Sequence, residues 1–245
     1  MTKIIAFSGK KQSGKSTCCN FIYAMYLSQI SDIIESTILN QQGMIEVKKN
    51  NSEDSVLVDV CRYYQSNENI DTEIYDIIRH LDKHVKIYSF ADPLKKQICM
   101  DILGLSYERC YGTDDQKNEI THLRWEGKNI SGRETMQIVG TDIFRSMYKD
   151  IWPKAAIKKI KQDNPYLALI SDCRFPNEVE EIKNNNGIVI RLTRNNDSES
   201  SHVSENILNK DTFDWGNFDF VIDNQSMSIL DQCNELKKIL DRILV

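Results

Sequence analysis

The sequence predicts an α/β fold: a central, open, mostly parallel five-stranded sheet flanked by helices. Five short apolar runs carry this prediction, at Lys3–Phe7, Val85–Phe90, Tyr166–Ser171, Gly187–Leu192 and Asp219–Ile222. Each is continuously apolar, as parallel strands buried on both faces are, and helical patterns separate them. The length of 245 residues suits one such domain carrying an insertion.

The first run leads into a glycine-bearing loop and then a helix with Cys18, Phe21, Ile22 and Met25 on its apolar face. The stretch from Ser31 to Lys83 is rich in Asn, Ser and acidic residues. It reads as an insertion over residues 31–84, packed at the edge of the sheet, with helical patches at Val56–Tyr64 and Ile74–Leu81. After the second run, Asp92-Pro93 places an N-cap and a first-turn proline before Leu94, Ile98 and Ile102, and Gly104 closes that helix. Ser131-Gly-Arg-Glu134 is a capping box, followed by Met136, Val139, Ile143 and Met147 on one face. Asn184–Asn186 and Asn195-Asn196 read as turns. Ser228 and Asp231 open a C-terminal helix with Ile229, Cys233, Leu236 and Leu240 inward.

The net charge of −5 excludes a global basic field that would draw the chain to nucleic acid or membranes. Seven cysteines, without a C-x-x-C pair, read as reduced thiols and a cytoplasmic setting. No signal peptide and no transmembrane helix are expected.

Gly9-Lys-Lys-Gln-Ser-Gly14-Lys15-Ser16 fits the phosphate-binding pattern G-x-x-x-x-G-K-[ST] without a mismatch, between a strand and a helix. The chemistry needs each part. Two glycines let the backbone turn so that consecutive N–H groups, from Lys11, Gln12 and Ser13 onward, converge on a phosphate. The helix that follows adds the positive end of its dipole. Lys15 supplies a mobile charge for the β- and γ-phosphates, the Ser16 hydroxyl is placed for Mg²⁺, and Thr17 for the α-phosphate. The pattern implies a nucleotide; GTPases, ATPases and kinases share it.

The third run ends in Ser171-Asp172, with Arg174 and Glu178 close behind. A carboxylate at the end of a strand beside the loop strand is where a metal or a substrate hydroxyl is met. The Asp–Arg–Glu cluster reads equally as a surface salt bridge at a helix start. Arg133 lies in the first turn of the capping-box helix, where the dipole disfavours a cation, which hints at an anion site beside Gly132. Gly140 sits mid-helix, for close approach of a ligand or for packing, with the Thr141 hydroxyl beside it. Lys95 opens the helix after the second run. Trp152 suits either base stacking or a core.

His80 and His84, four residues apart, read as a solvated helix face because no third ligand is in register. His202 falls in a polar loop suited to a lid. Cys173 reads as a small filler.

In order along the chain, the sequence resembles the phage-type deoxynucleoside monophosphate kinase family of P-loop kinases. The resemblance rests on Phe7–Thr17, Phe90-Ala-Asp-Pro-Leu-Lys95, Arg133 with Met136-Gln-Ile-Val-Gly140-Thr141-Asp142, and Trp152. It continues through Asp172-Cys-Arg174-Phe-Pro-Asn-Glu178, His202-Val-Ser-Glu205 and Phe220-Val-Ile-Asp-Asn224. It implies a P-loop kinase fold with a helical, mobile NMP-binding subdomain over about residues 91–165. It implies transfer of the γ-phosphate of Mg·ATP to a deoxynucleotide lined by Lys95, Arg133, Gly140, Thr141, Trp152, Asp172, Arg174 and Glu178. Catalysis falls to Lys15, Asp172, Arg174 and Arg133, with Arg109, Arg124, Arg191 and Arg194 as candidate lid residues. The partners expected are ATP and a deoxynucleoside monophosphate, with no nucleic acid and no membrane; a homodimer is compatible. Ser16 stands where some relatives carry Asp, which favours direct metal ligation, and the 31–84 insertion lies outside the family pattern. Two other readings share the loop: a phosphomevalonate or dephospho-coenzyme A kinase, and a regulatory P-loop ATPase.

Overall fold

The computed structural model describes residues 2–30, 32–63, 71–195 and 206–244. The chain divides into two compact units, one formed by Met1–Tyr88 with Ile160–Val245 and one by Ser89–Lys159.

All five apolar runs are strands of the first unit: β1 (Lys3–Ser8), β5 (Val85–Tyr88), β8 (Leu167–Cys173), β9 (Ile188–Leu192) and β10 (Phe220–Ile222). They form one sheet in the order β10-β9-β1-β8-β5, every pairing parallel. The strand that feeds the glycine loop is therefore central. Its neighbours β8 and β9 end beside the loop, the position at which open parallel sheets bind ligands.

Helix α1 (Lys15–Ile30) departs from expectation. Cys18, Cys19, Ile22, Tyr23 and Leu27 are all inaccessible, so more than one face is buried. The reason lies in residues 34–81. They build an antiparallel sheet of β2 (Ile34–Leu39), β3 (Ile45–Lys49) and β4 (Ser55–Val58), then α2 (Val60–Tyr63) and α3 (Thr72–Leu81). Ile45, Val47, Val58, Ile74, Ile78 and Leu81 join Ile5, Phe7, Ile22 and Leu27 in one core. Tyr23 donates to the Ile78 carbonyl (3.0 Å) and Thr37 to that of Ala24 (3.1 Å), which anchors this segment on α1. A helix covered on two sides has no polar face for the sequence to display.

The helix expected over Val56–Tyr64 is a strand in its first half. Val56 and Val58 are β-branched, and the run is too short for periodicity to decide; pairing with Val47 and Ile45 decides it. The helix expected at Ile74–Leu81 is present as α3, capped by Asp71 on the Glu73 and Ile74 amides.

The second unit contains a π-helix at Pro93–Ile102, α4 (Tyr107–Tyr111), α5 (Asp114–Asn118), the hairpin β6 (Ile120–Trp125) with β7 (Lys128–Ser131), α6 (Gly132–Gln137) and a second π-helix at Ile138–Arg145. Helix α7 (Ile151–Asp163) follows. Leu94, Cys99, Leu105, Cys110 and Trp152 form its core. The two π segments explain two misplaced residues. Ile102 is 74% exposed and Met147 77% exposed, because the wider turn breaks the 3.6-residue register on which both were placed inward. Asp92 makes no side-chain cap; its carboxylate accepts from the Tyr111 hydroxyl (2.7 Å) and pairs with Lys96 (3.1 Å). The hairpin was not anticipated, although Glu126-Gly127 has positive φ at both residues, the backbone that a two-residue turn demands.

Two more helices complete the first unit, α8 (Pro176–Asn184) and α9 (Ile229–Ile243). The Ser131/Glu134 and Ser228/Asp231 capping boxes form as expected, and Cys233, Leu236 and Leu240 of α9 face inward. No helix among the described residues is long and apolar enough to cross a membrane.

Ile45 is fully buried in the shared core, whereas Ile38 is 58% exposed. We expect Ile45→Ala to cost about 2–5 kcal/mol in urea unfolding and Ile38→Ala less than about 0.5 kcal/mol. The Asp231 carboxyl is held below its ordinary range by the Ser228 hydroxyl and amide. A depressed carboxyl stabilises above its unfolded pKa and ceases to as pH falls through its folded one. Ser228→Ala should therefore be less stable than the parent at pH 7, with the gap narrowing in acid, measured as melting temperature against pH.

Candidate phosphate-binding site

The loop between β1 and α1 has the geometry of a cradle. A Cβ at Gly9 would lie 2.3 Å from the Ser13 hydroxyl and 3.1 Å from the Leu192 carbonyl, so only glycine fits. Gly14 has φ +97°, and a Cβ there would fall 2.7 Å from the Gln232 carboxamide. Lys15 is 7% exposed; its ammonium turns back into the loop and donates to the carbonyls of Gly9 (2.8 Å) and Lys10 and to the Ser13 hydroxyl (3.3 Å). The charge thus sits inside the loop, where phosphate oxygens are stronger acceptors than the neutral carbonyls and hydroxyl it holds there. Lys11, Gln12 and Ser16 are exposed at the rim. Thr17 packs on the β2–β3 turn, where a Cβ at Gly43 would meet its hydroxyl at 2.4 Å.

Asp172 lies where the β1–β8 register slips. Ala6 pairs with Ile170 but Ser8 with Cys173, so β8 carries one extra residue at Ser171-Asp172. Both are half-buried, and the simple alternation that placed Asp172 and Arg174 on one side does not run through this bulge. Bulges re-aim side chains, and this one acts at the strand end beside the loop. Glu178 is 2% exposed and its carboxylate accepts from the amides of Arg174 (2.7 Å) and Phe175 (3.0 Å). These bonds cap the start of α8. The Cys173 thiol is pushed well above its ordinary range by burial and by the Glu178 and Asp172 carboxylates, against the opposing pull of Arg191 and Lys15. It is an inert filler set among those four charges.

In the second unit, the Lys95 ammonium lies 4.5 Å from the Tyr111 ring centroid. Trp152 is 4% exposed, donates to the Gly140 carbonyl (3.0 Å) and tilts against Phe144, so here the ring is core. A Cβ at Gly140 would meet the Leu94 side chain at 2.6 Å, so the glycine lets that side chain pack close. Thr141 is exposed. Arg133 bonds to Asn118 and Asp114 (each 2.7 Å), which offsets its unfavourable place at a helix start. Gly132 serves backbone approach, since a Cβ would lie 2.5 Å from the Arg109 carbonyl.

The four arginines expected in a lid have local roles. Arg109 bonds Gln116 and Glu119, and Arg124 bonds the hairpin turn at Gly127. Arg191 belongs to β9, donates to the Ser8 hydroxyl (3.0 Å) and lies over the Trp215 and Phe218 rings (5.3 and 5.6 Å). Arg194 bonds the carbonyls of Asn224 and Met227. His202 lies outside the described residues. His80 and His84 are exposed, and no cluster of three or more His, Cys, Asp or Glu residues that would hold a metal occurs among the described residues.

Asn224, which enters the sequence reading only as part of the family resemblance and with no role, and Gln232, which no sequence signal singled out, touch the loop from behind. Asn224 stands at the end of a parallel strand, the same signal that singled out Asp172. Gln232 is a polar residue on the apolar face of α9.

A parallel sheet whose central strand opens into this glycine–lysine loop, with a carboxylate at a bulge in the neighbouring strand end, defines a P-loop protein. Within that class the chain belongs to the deoxynucleotide monophosphate kinase family, whose sequence profile matches residues 3–233. It is 37% identical over 130 residues to a protein of Acanthamoeba polyphaga mimivirus provisionally named a deoxynucleotide monophosphate kinase. It is 40% identical over 58 residues to the deoxynucleoside-5'-monophosphate kinase of Escherichia phage T5. These matches cover 48% and 23% of this chain, and 65% and 23% of the relatives, so less than two thirds of either relative is spanned.

We expect Gly132→Ala to destabilise the second unit by about 1–3 kcal/mol, because the atom in the way is main chain. A fall in melting temperature by scanning calorimetry checks this.

Proposed function

We propose that the protein transfers the γ-phosphate of ATP to a deoxynucleoside monophosphate, giving the diphosphate and ADP. The observation that carries the reading is the Gly9–Thr17 loop with the Lys15 ammonium turned into it, at the centre of a parallel sheet in a chain of this family. The attacking group is a phosphate oxygen of the acceptor, already ionised near neutral pH, so the chemistry needs positioning and charge stabilisation more than a base. Lys15 exchanges its loop carbonyls for phosphate oxygens and follows the charge as it shifts to the bridging oxygen. Asp172 and Arg174 act at the end of β8. The resemblance assigns acceptor contacts also to Lys95, Arg133 and Thr141 of the second unit, while Gly140 and Trp152 support each other there.

The residues present fit Mg²⁺. The exposed Ser16 hydroxyl is a hard oxygen donor at the loop rim, and Mg²⁺ bound with nucleotide needs only one or two protein ligands beside phosphate oxygens and water. When bound, it neutralises charge on the β- and γ-phosphates. The seven free thiols support a reducing, cytoplasmic setting.

A coupled ADP-release assay with Mg·ATP tests this against deoxynucleoside and nucleoside monophosphates, with phosphomevalonate and dephospho-coenzyme A as contrasts. We expect stimulation by at least one deoxynucleotide, and a drop of about 10²–10³ in kcat for Lys15→Ala. Turnover only with a non-nucleotide acceptor, or no acceptor-dependent ADP release at all, refutes the proposal.

A further inference from the structure

We propose that Asn224 and Gln232 form a buried amide clamp that sets the direction of the P-loop N–H groups and so determines affinity for the nucleotide phosphates. The inference rests on the reading that this loop binds ATP.

Both carboxamides are sealed from water, Asn224 at 0% and Gln232 at 1% exposure. Burial of a carboxamide is costly unless every polar atom is used. Asn224 donates to the Ser13 carbonyl (2.8 Å) and to Gln232 Oε1 (2.6 Å), and accepts from the Arg194 amide (2.8 Å). Gln232 donates to the Gly14 carbonyl and to the Cys18 thiol (each 3.2 Å). Two side chains, one just beyond β10 and one from α9, thus grip two successive carbonyls of the loop.

The consequence follows from the planar trans peptide, in which C=O and the next N–H point opposite ways. A Ser13 carbonyl held toward Asn224 turns the Gly14 N–H away from the clamp. The Gly14 carbonyl, held by the Cys18 amide (3.0 Å) and joined there by Gln232 (3.2 Å), does the same for the Lys15 N–H. Those two amides open α1, where its dipole is positive, and with them directed into the loop a phosphate meets aligned donors at no cost of reorganisation. The clamp also accounts for Gly14. The space beside its Cα is filled by the Gln232 carboxamide, 2.7 Å from where a Cβ would stand. The bond to the Arg194 amide ties the exit of β9 to the same hub, joined by Thr193 to Asp223 (2.6 Å) and Asn195 to Gln225 (3.2 Å). Asn224 and Gln232 touch no substrate; they are positioning residues.

The test compares Mg·ADP binding by calorimetry and steady-state kinetics for the parent, Asn224→Ala, Gln232→Met and the double variant, with Leu236→Ala as a core-packing control on the same helix. Gln232→Met keeps the shape and removes the donors, and carries the test if Asn224→Ala does not fold. We expect the Kd for Mg·ADP and the KM for ATP to rise about tenfold or more, with the KM for the deoxynucleotide little changed. The double variant should be no worse than the worse single one, because the two act as a unit. Leu236→Ala should lose stability and keep ADP affinity. Parent-like ADP affinity in folded Asn224→Ala or Gln232→Met, with only a loss of stability, overturns the clamp and leaves the ATP reading standing. A parent protein that does not bind Mg·ADP overturns both.

Discussion

The tight turn from β1 into α1 is the constraint on which the rest of the first unit depends. It requires a strand that ends at the middle of a parallel sheet, a helix that begins within a few residues, and a backbone conformation that side chains do not tolerate at Gly14. The turn leaves main-chain groups directed to a single point, and every such group must be held. The Lys15 ammonium satisfies the inward carbonyls of Gly9 and Lys10, and the outward carbonyls of Ser13 and Gly14 are taken by buried amides. The polar groups of the loop are thus paired on both sides.

That constraint propagates into packing. Because α1 must start at the loop, it joins the main core through Ile22 and Leu27, and its side at Tyr23 and Ala24 would otherwise lie open. The antiparallel strands of residues 34–58 and helix α3 cover that side and merge with the main core. Phosphate-site architecture and the additional segment are therefore one hydrophobic unit. The second unit solves a separate problem around Trp152 and Leu94. Its π-helical turns there carry Lys95 and Thr141, in the irregular backbone that often bears functional residues.

The five strands, the loop and the two Ser capping boxes were legible in the sequence because each is a local signal. Continuous apolar runs, a fixed glycine spacing, and a hydroxyl three residues before a carboxylate depend on little beyond their own neighbourhood. Less legible was anything set by a distant partner. Val56–Val58 became strand through pairing with β3, and Met147 and Ile102 turned outward because π turns reset the helical register. Arg191, one of the four lid candidates, is a buried strand residue among aromatic rings.

The sequence by itself determined the parallel sheet, the identity of the phosphate loop and the carboxylate-bearing strand end, since chain spacing and residue chemistry suffice for those. Only the tertiary structure decided which polar groups hold the loop. Asn224 and Gln232 lie more than two hundred residues from Ser13 and Gly14 along the chain, at separations of 211 and 218. No periodicity or motif connects residues so far apart. Their hydrogen bonds exist because the sheet order places the ends of β1, β9 and β10 side by side, which is a property of the folded chain and not of any segment of it.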